Sequence, residues 1–282
     1  MKKLIYFAVI AVLFLTGCVE YGLTIKVNKD GSGEIVEEML LSNQVMNMVK
    51  AMDPDGSSIN AFTKEEVIKK APNFGDDIVF AKFEEIATES KQGYKAVYNF
   101  KDINKIRFSE DMMSESIESL SDNMQMGTSA DGEEEESDDD GIDKFYTFDY
   151  NKKGQLIISN GFTEAINEAR DKQDSSEDVD AEDEEIDSQE LQQQLAMAKM
   201  FTQGMKIYTK VKFESIKDAN VPYENNEVTL FEIDMDQLLK NPETFAEIIK
   251  NEEKELTKFL NNERKIDGII FHNQEKIIIN FK

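Results

Sequence analysis

Alternating apolar and polar residues along the chain predict a protein built largely from β-strands. The clearest alternation lies in residues 21–27, where four apolar side chains share one face, namely Tyr21, Leu23, Ile25 and Val27. A dense turn signal at residues 28–33 separates this segment from a second alternating run at residues 34–41, so the two runs predict a β-hairpin. Further hairpins are predicted from residues 78–88 with 94–100, 144–150 with 155–159, and 269–271 with 276–281, and single strands from residues 207–213 and 228–233.

A 3.6-residue repeat of apolar positions predicts helices between the strands. The strongest repeat covers residues 191–205 and places six apolar side chains on a broad stripe: Leu191, Leu195, Met197, Ala198, Phe201 and Met205. Ser42 and Thr63 are N-cap candidates for two short helices, and Glu66 completes a capping box with Thr63. A further helix is predicted to begin at Asn241. The methionine-rich stripe suits packing on a sheet, and it also suits binding of an amphiphile.

Hairpins with helices between them are typical of an α+β domain. The predicted fold is a mainly antiparallel sheet built from hairpins and packed against one or two amphipathic helices, with disordered acidic insertions. The predicted boundaries are a signal peptide at residues 1–17, a domain at 18–240 with acidic inserts at 127–143 and 171–190, and a C-terminal helix and hairpin at 241–282. We expect this last segment to belong to the same domain or to form a small subdomain.

The N-terminus has the pattern of a secretory signal. Lys2 and Lys3 precede an unbroken apolar run at residues 4–15, and Thr16 and Gly17 follow it. The run is well short of the roughly 20 apolar residues that a bilayer-spanning helix needs. A basic start, a short apolar stretch and small residues before a cut site indicate a cleaved signal peptide.

Residues 15–18, Leu-Thr-Gly-Cys, resemble the bacterial lipobox, in which signal peptidase II cuts before a cysteine that carries lipid. The resemblance implies that Cys18, the single cysteine of the chain, becomes the first residue, with a diacylglyceryl group on its thiol and a fatty acyl chain such as palmitate on its amine. Two such groups give stable membrane anchoring. Val19 is not the aspartate associated with inner-membrane retention. We therefore expect a place in the bacterial cell envelope, at the outer membrane if the cell has two membranes.

The net charge of −26 comes from 58 acidic and 32 basic residues, and it is concentrated in two tracts. Residues 131–143 hold nine acidic residues and no base, and residues 171–190 hold eleven acidic residues and one lysine. Tracts of this composition cannot bury apolar surface, so we expect them to be disordered. Because phosphate binding needs clustered Lys and Arg, the charge argues against nucleic acid or an anionic lipid surface as a partner.

The sequence lacks the residue patterns of common catalytic and metal sites. His272, the single histidine, lies in a predicted turn among polar neighbours, where we expect it to be solvated. There is no G-x-S-x-G, no H-E-x-x-H and no Gly-rich phosphate loop. Residues 28–34 have some similarity to a calcium loop but lack its terminal bidentate glutamate, so a turn is the expected role. We expect no catalytic residue, no metal site and no cofactor.

Residues 17–21 and 27–33 resemble the start of LppM-type bacterial lipoproteins. Those proteins have a lipidated cysteine, an immediate strand and a D-G-S/T-G hairpin turn, here at residues 30–33. The similarity extends loosely to the strands at 207–213 and 228–233. It implies an α+β envelope domain with a lipid or glycolipid as the candidate ligand and with no known catalysis. The chain departs from these proteins in its acidic inserts and in its final predicted strand, where some relatives have a membrane helix.

The sequence therefore predicts a non-catalytic envelope lipoprotein, held at the membrane through Cys18, that binds a lipid or other amphiphile or a protein partner. A groove between the helix at 191–205 and the sheet is the expected binding place. One alternative is a structural or surface protein whose acidic tracts give hydration or weak calcium binding. The second alternative is an envelope hydrolase, which would need paired carboxylates that converge in a cleft.

Overall fold

The computed structural model describes residues 19–43, 45–47, 62–108, 146–151, 153–161, 204–241, 244, 266–272 and 274–282. The strands are β1 (Val19–Val27), β2 (Gly33–Ser42), β3 (Val79–Ala87), β4 (Lys91–Phe100), β5 (Arg107–Phe108), β6 (Tyr146–Asn151), β7 (Gln155–Asn160), β8 (Lys206–Phe213), β9 (Ile216–Ala219), β10 (Glu227–Asp234), β11 (Ile269–Phe271) and β12 (Lys276–Phe281). The α-helices with defined bounds are α1 (Lys64–Lys69) and α2 (Met235–Leu238), and 3-10 turns cover Ala71–Phe74 and Ile103–Lys105.

These strands form two sheets. The larger sheet has the order β11-β10-β8-β1-β2-β4-β3, and its neighbours are antiparallel except for β1 and β8, which are parallel. The smaller sheet has the order β5-β6-β7-β12-β9 and is antiparallel throughout. The predicted mainly antiparallel α+β class is confirmed, and the strands divide between two sheets that share one core.

The inward faces of both sheets build that core. The alternation predicted for residues 21–27 is confirmed, because the odd-numbered apolar side chains of β1 are all buried. Phe213 of the larger sheet contacts Phe281 of the smaller sheet, with ring centroids 4.6 Å apart. The Tyr146 hydroxyl donates to the carbonyl of Leu230 at 3.3 Å, which links the two sheets through a buried hydrogen bond. Burial of apolar surface between the sheets is the main force that holds the fold.

The first hairpin turn, between β1 and β2, is stabilised by hydrogen bonds among its own residues. Asp30 accepts hydrogen bonds from the backbone N–H and the hydroxyl of Ser32, at 3.0 and 2.6 Å. Gly31 has a φ of +85°, which glycine adopts without the strain that a Cβ would bring. The Asn28 N–H donates to the carbonyl of Ser32 at 2.8 Å and closes the loop. The predicted hairpin of β1 and β2 is confirmed.

Helix α1 and the 3-10 turn at Ala71–Phe74 cover the inward face of β2 and β4. Thr63 caps α1, accepting from the Glu66 N–H at 3.5 Å as the capping-box pattern predicted. Val67 of α1 is fully buried, and the Phe74 ring lies 4.7 Å from the ring of Tyr98 on β4. This helical segment therefore closes the part of the core that the smaller sheet leaves open.

The predicted hairpin of residues 269–271 with 276–281 is wrong. Both strands exist, but β11 pairs with β10 at one edge of the larger sheet, whereas β12 lies between β7 and β9 in the smaller sheet. The connection between them crosses from one sheet to the other. The physical reason lies in the apolar run of β12: Ile277 and Ile279 are fully buried and need neighbours on both sides, which a terminal hairpin would not provide.

Several predictions fall on residues outside those described. They are the signal peptide at 1–17, Cys18, the acidic inserts at 127–143 and 171–190, most of the helix at 191–205 and most of the helix from Asn241. The helix predicted at 191–205 does not reach Met205, because Gly204 and Met205 form the turn before β8 and are not helical. In the described part of the chain, no helix is long and apolar enough to cross a membrane.

Candidate functional site

The first described strand begins immediately after the predicted lipidation site. Cys18 itself lies outside the described residues, and β1 starts at Val19. Val19 is buried and pairs with Leu41 of β2, and Glu20 pairs with Lys206 of β8. β1 has a partner strand on each side. Hydrogen bonds to β2 and β8 therefore hold its backbone from its first two residues onward. No flexible linker separates residue 18 from the sheet.

One end of the larger sheet surrounds Val19, and we call it the anchor rim. It comprises residues 19–20, 42–43, 88–91, 204–206 and 234–239. Its lysines are paired with carboxylates: Lys91 Nζ lies 2.7 Å from Glu20 Oε2, and Lys206 Nζ lies 3.1 Å from Glu232 Oε1 and 3.4 Å from Asp234 Oδ2. Burial lowers the pKa of Lys206, but bonds to Glu232 and Asp234 outweigh it and leave the pKa above its usual value.

A small apolar cluster lies at one corner of the anchor rim. Asp234 caps α2 by accepting from the Gln237 N–H at 3.0 Å. Met235 and Leu238 of this helix are buried with Ile266. Partly buried apolar side chains pack around them: Met205, Ile233, Leu239, Ile269 and Phe271. The rim therefore combines ion-paired lysines, a small excess of acidic residues and partly buried apolar side chains.

The described residues contain one buried carboxylate, that of Glu37 on β2. The alternation of β2 places Glu37 on the core face, where it pairs with Leu23 of β1 and Ala96 of β4. Lys70, the C-cap residue of α1, reaches it with Nζ 3.0 Å from Glu37 Oε1. The same Nζ donates to the Tyr94 hydroxyl at 2.8 Å. A charge removed from water needs partners of this kind, because an unpaired buried carboxylate is strongly destabilising.

Tyr98 completes this buried polar cluster. Its hydroxyl donates to the Val67 carbonyl at 2.9 Å and lies 3.1 Å from Glu37 Oε2. Burial, followed by the nearby charge of Glu37, raises the pKa of both Tyr94 and Tyr98 well above the usual value of a tyrosine. Both phenols therefore stay neutral at physiological pH. The cluster joins α1 to the sheet through these hydrogen bonds and the ion pair, so its role is structural.

Sequence reasoning missed Glu37, although a signal was present. In β2 the inward positions are Ile35, Glu37, Met39 and Leu41, so a carboxylate stands in phase with three apolar residues. A charged residue at such a position predicts a buried partner. The partner could not be read from the sequence because Lys70 lies in a different element, 33 residues away.

At the opposite end of β1 lies an open cleft of about 610 Å³, which we call the distal cleft. It is lined by residues 26–30 and 212–214. Lys29 Nζ lies 3.2 Å from Glu214 Oε2, and Lys26 Nζ lies 3.4 Å from Glu34 Oε2. Exposed ion pairs of this kind contribute little free energy. Since these cations have local counter-charges, the cleft offers no concentrated charge to a ligand.

His272 is not the solvated turn residue that its polar neighbours predicted. Its side chain is largely buried, with 9% of the residue exposed, and its Nε2 lies 2.9 Å from the carbonyl oxygen of Thr229. The carbonyl of His272 accepts from the Asn160 side-chain amide at 2.5 Å. Burial lowers the pKa of His272, and the Thr229 contact opposes this only in part. The residue lies on the crossover between the sheets, and packing of that crossover buries it.

The predicted turn at residues 28–34 is confirmed, since Asp30 is engaged by Ser32 within the turn. Those two hydrogen bonds lower the pKa of Asp30. No group of three or more potential metal ligands converges in the described residues. The acidic tracts proposed as weak calcium sites lie outside them.

Comparison with known proteins gives little further guidance. No family model and no curated protein matches the chain. A solved structure with some similarity is the NMR structure of the folded domain of the LppM protein from Mycobacterium tuberculosis. The match covers 76% of this chain and 81% of that one, with 8% sequence identity and a TM-score of 0.28. At these values the likeness carries no conclusion about this chain.

Proposed function

We propose that this protein is a non-catalytic lipoprotein of the bacterial cell envelope, anchored through Cys18, whose body binds an amphiphile or a protein partner at the membrane surface. The observation that carries the proposal is the position of the lipobox-like residues 15–18 directly before β1. Because β1 begins at Val19, removal of residues 1–17 leaves every described strand intact. A lipid on Cys18 then holds the body without an intervening linker.

Several carboxylates of the larger sheet are engaged by lysines, which disfavours their use as a catalytic pair. Glu37 is engaged by Lys70 beneath α1, and Glu38 Oε1 lies 2.5 Å from Lys95 Nζ. Glu232 lies within 3.5 Å of Lys206 and Lys210. A glycosidase-type mechanism would instead need two acids that face one cleft across the substrate. In the described residues these side chains stabilise strand and helix contacts.

Native mass spectrometry of the full-length lipidated protein tests the binding role. The protein would be extracted in mild detergent from the membranes of its own host, and a denaturing mass of the same sample would separate covalent acyl groups from bound molecules. We expect an additional non-covalent mass, either of a lipid-sized amphiphile or of a protein subunit. The matched control is a secreted chain in which residues 1–18 are replaced by a secretory signal that is cleaved without lipidation, because it keeps the body from Val19 onward and loses only the anchor. A native mass equal to the denaturing mass in both samples would contradict the binding role.

A further inference from the structure

Among the described residues, those of the anchor rim lie nearest to the predicted lipid. Val19 follows Cys18 directly, and consecutive Cα atoms are about 3.8 Å apart. The strand cannot lengthen this connection by fraying at low cost, because Val19 pairs with Leu41 and Glu20 pairs with both Leu40 and Lys206. A lipid group on Cys18 therefore keeps this end of the sheet within one residue of the bilayer.

We propose that the anchor rim is a membrane-contact surface that rests on the phospholipid headgroup layer and so fixes the orientation of the body. This inference rests on the proposed function, since it needs the lipid on Cys18. A tether without slack gives the rim a very high effective concentration of membrane, so even weak contacts are populated. The occupant is the bilayer in which the anchor itself is inserted.

The chemistry of the rim fits a headgroup layer. The ion pairs Lys91–Glu20 and Lys206–Glu232 neutralise part of its charge, and the further acids Glu89 and Asp236 leave the rim net negative, so it suits zwitterionic rather than anionic headgroups. At the α2 corner, Met205 and Leu239 are only partly buried and pack on the buried Met235. Partly buried apolar side chains beside polar groups suit the boundary between headgroups and acyl chains.

The same geometry directs the distal cleft away from the membrane. β1 has nine residues and spans about 30 Å from the anchor rim to the first hairpin turn. Residues 28–32 and 214 lie at this far end, together with the exposed Lys29. The rim and the turn are therefore two positions on one rigid sheet whose distances to the bilayer should differ strongly.

Single-cysteine labelling measures this difference in the lipidated full-length protein. The chain has one cysteine, and the diacylglyceryl thioether on its thiol leaves an introduced cysteine as the reactive one. The fluorophore would be placed at Ser90→Cys or Gln237→Cys on the rim, and at Lys29→Cys at the far turn. All three are exposed turn or helix positions. The proteins would be reconstituted into phosphatidylcholine vesicles that carry a nitroxide quencher on the headgroup.

We expect strong quenching at both rim positions and almost none at Lys29→Cys. A flexible Gly-Ser insert of about ten residues between Cys18 and Val19 has a mean reach of about 17 Å, so it should relieve the quenching at the rim while the protein still floats with the vesicles. Equal quenching at rim and turn in protein that floats would overturn the membrane-contact surface and leave the anchor intact. Failure of the unmodified chain to float would overturn the proposed anchor itself.

Discussion

Lys70 at the C-cap of α1 and Glu37 on β2 form an ion pair in which the carboxylate is fully buried and Nζ lies 3.0 Å from Oε1. The lysine side chain is only one-quarter exposed, so both charges are largely removed from water. The pair ties α1 to the centre of the larger sheet. Removal of the pair should therefore lower the free energy of unfolding of the whole body.

Lys70→Met should destabilise the protein by about 2–4 kcal/mol, because it leaves the Glu37 carboxylate buried without its cation. Urea unfolding followed by circular dichroism would show this as a lower midpoint. The double variant Glu37→Met with Lys70→Met should recover much of the loss, since two apolar side chains of similar length replace the pair. Losses that simply add in the double variant would contradict a coupled pair.

His272 should titrate below the usual pH of a histidine, because its burial lowers its pKa from 6.5. A pKa that is depressed in the folded state contributes stability above about pH 6.5, and this is lost as the pH falls through the folded value. His272→Gln keeps an N–H donor toward Thr229. It should remove the part of the loss of stability at acid pH that comes from protonation of His272. Since the chain has one histidine, its ring-proton NMR signal can be followed without assignment, and a midpoint at or above 6.5 would contradict the buried position.

Tyr146 should make the protein less stable at alkaline pH, where its buried phenol would have to ionise. Burial raises the pKa of its phenol above the usual 10, so the contribution is complete below pH 10 and is lost as the pH rises beyond it. Tyr146→Phe should cost about 1 kcal/mol at neutral pH, through the lost bond to the Leu230 carbonyl, and should flatten the alkaline decline. Unfolding midpoints measured at neutral and alkaline pH would check both effects, and parallel declines in the two proteins would argue against them.

Gly93 and Gly22 offer a matched pair of substitutions on the larger sheet. A Cβ at Gly93 would lie 1.9 Å from the Met39 carbonyl oxygen, so Gly93→Ala must push β2 and β4 apart. The three atoms nearest to a Cβ at Gly22 all belong to the Tyr208 side chain, whose far end can move more easily than backbone. We expect a loss of about 3 kcal/mol for Gly93→Ala and about 1 kcal/mol for Gly22→Ala. Thermal unfolding would rank them, and an equal or reversed order would contradict the strand register.

The hairpins were predictable because each one lies in a contiguous stretch of sequence. β1 and β2 are joined by a turn whose residues, Asp30 to Ser32, carry their own hydrogen bonds. The same is true of the hairpins of β3 with β4 and of β6 with β7, and all three were predicted. A period of two in the sequence marks which residues face inward, and a local turn determines the partner strand.

Pairing between distant segments could not be predicted, because no local pattern in the sequence identifies the partner strand. The parallel neighbours β1 and β8 are separated by most of the chain, and β11 and β12 enter different sheets despite a short connection. The burial of His272 has the same origin, because the crossover is covered by groups from Thr229 and Asn160 and not by its sequence neighbours. Glu37 was readable as an anomaly in β2, but its partner Lys70 was not.

The most direct test of the lipoprotein proposal is the denaturing mass of the protein purified from its native membranes, with fragmentation of its N-terminal peptide. We expect a mature chain that begins at Cys18 and carries a diacylglyceryl group on the thiol and a fatty acyl chain on the amine, with Cys18→Ala remaining uncleaved and unlipidated. A chain that retains residues 1–17, or one with an unmodified thiol at Cys18, would contradict it.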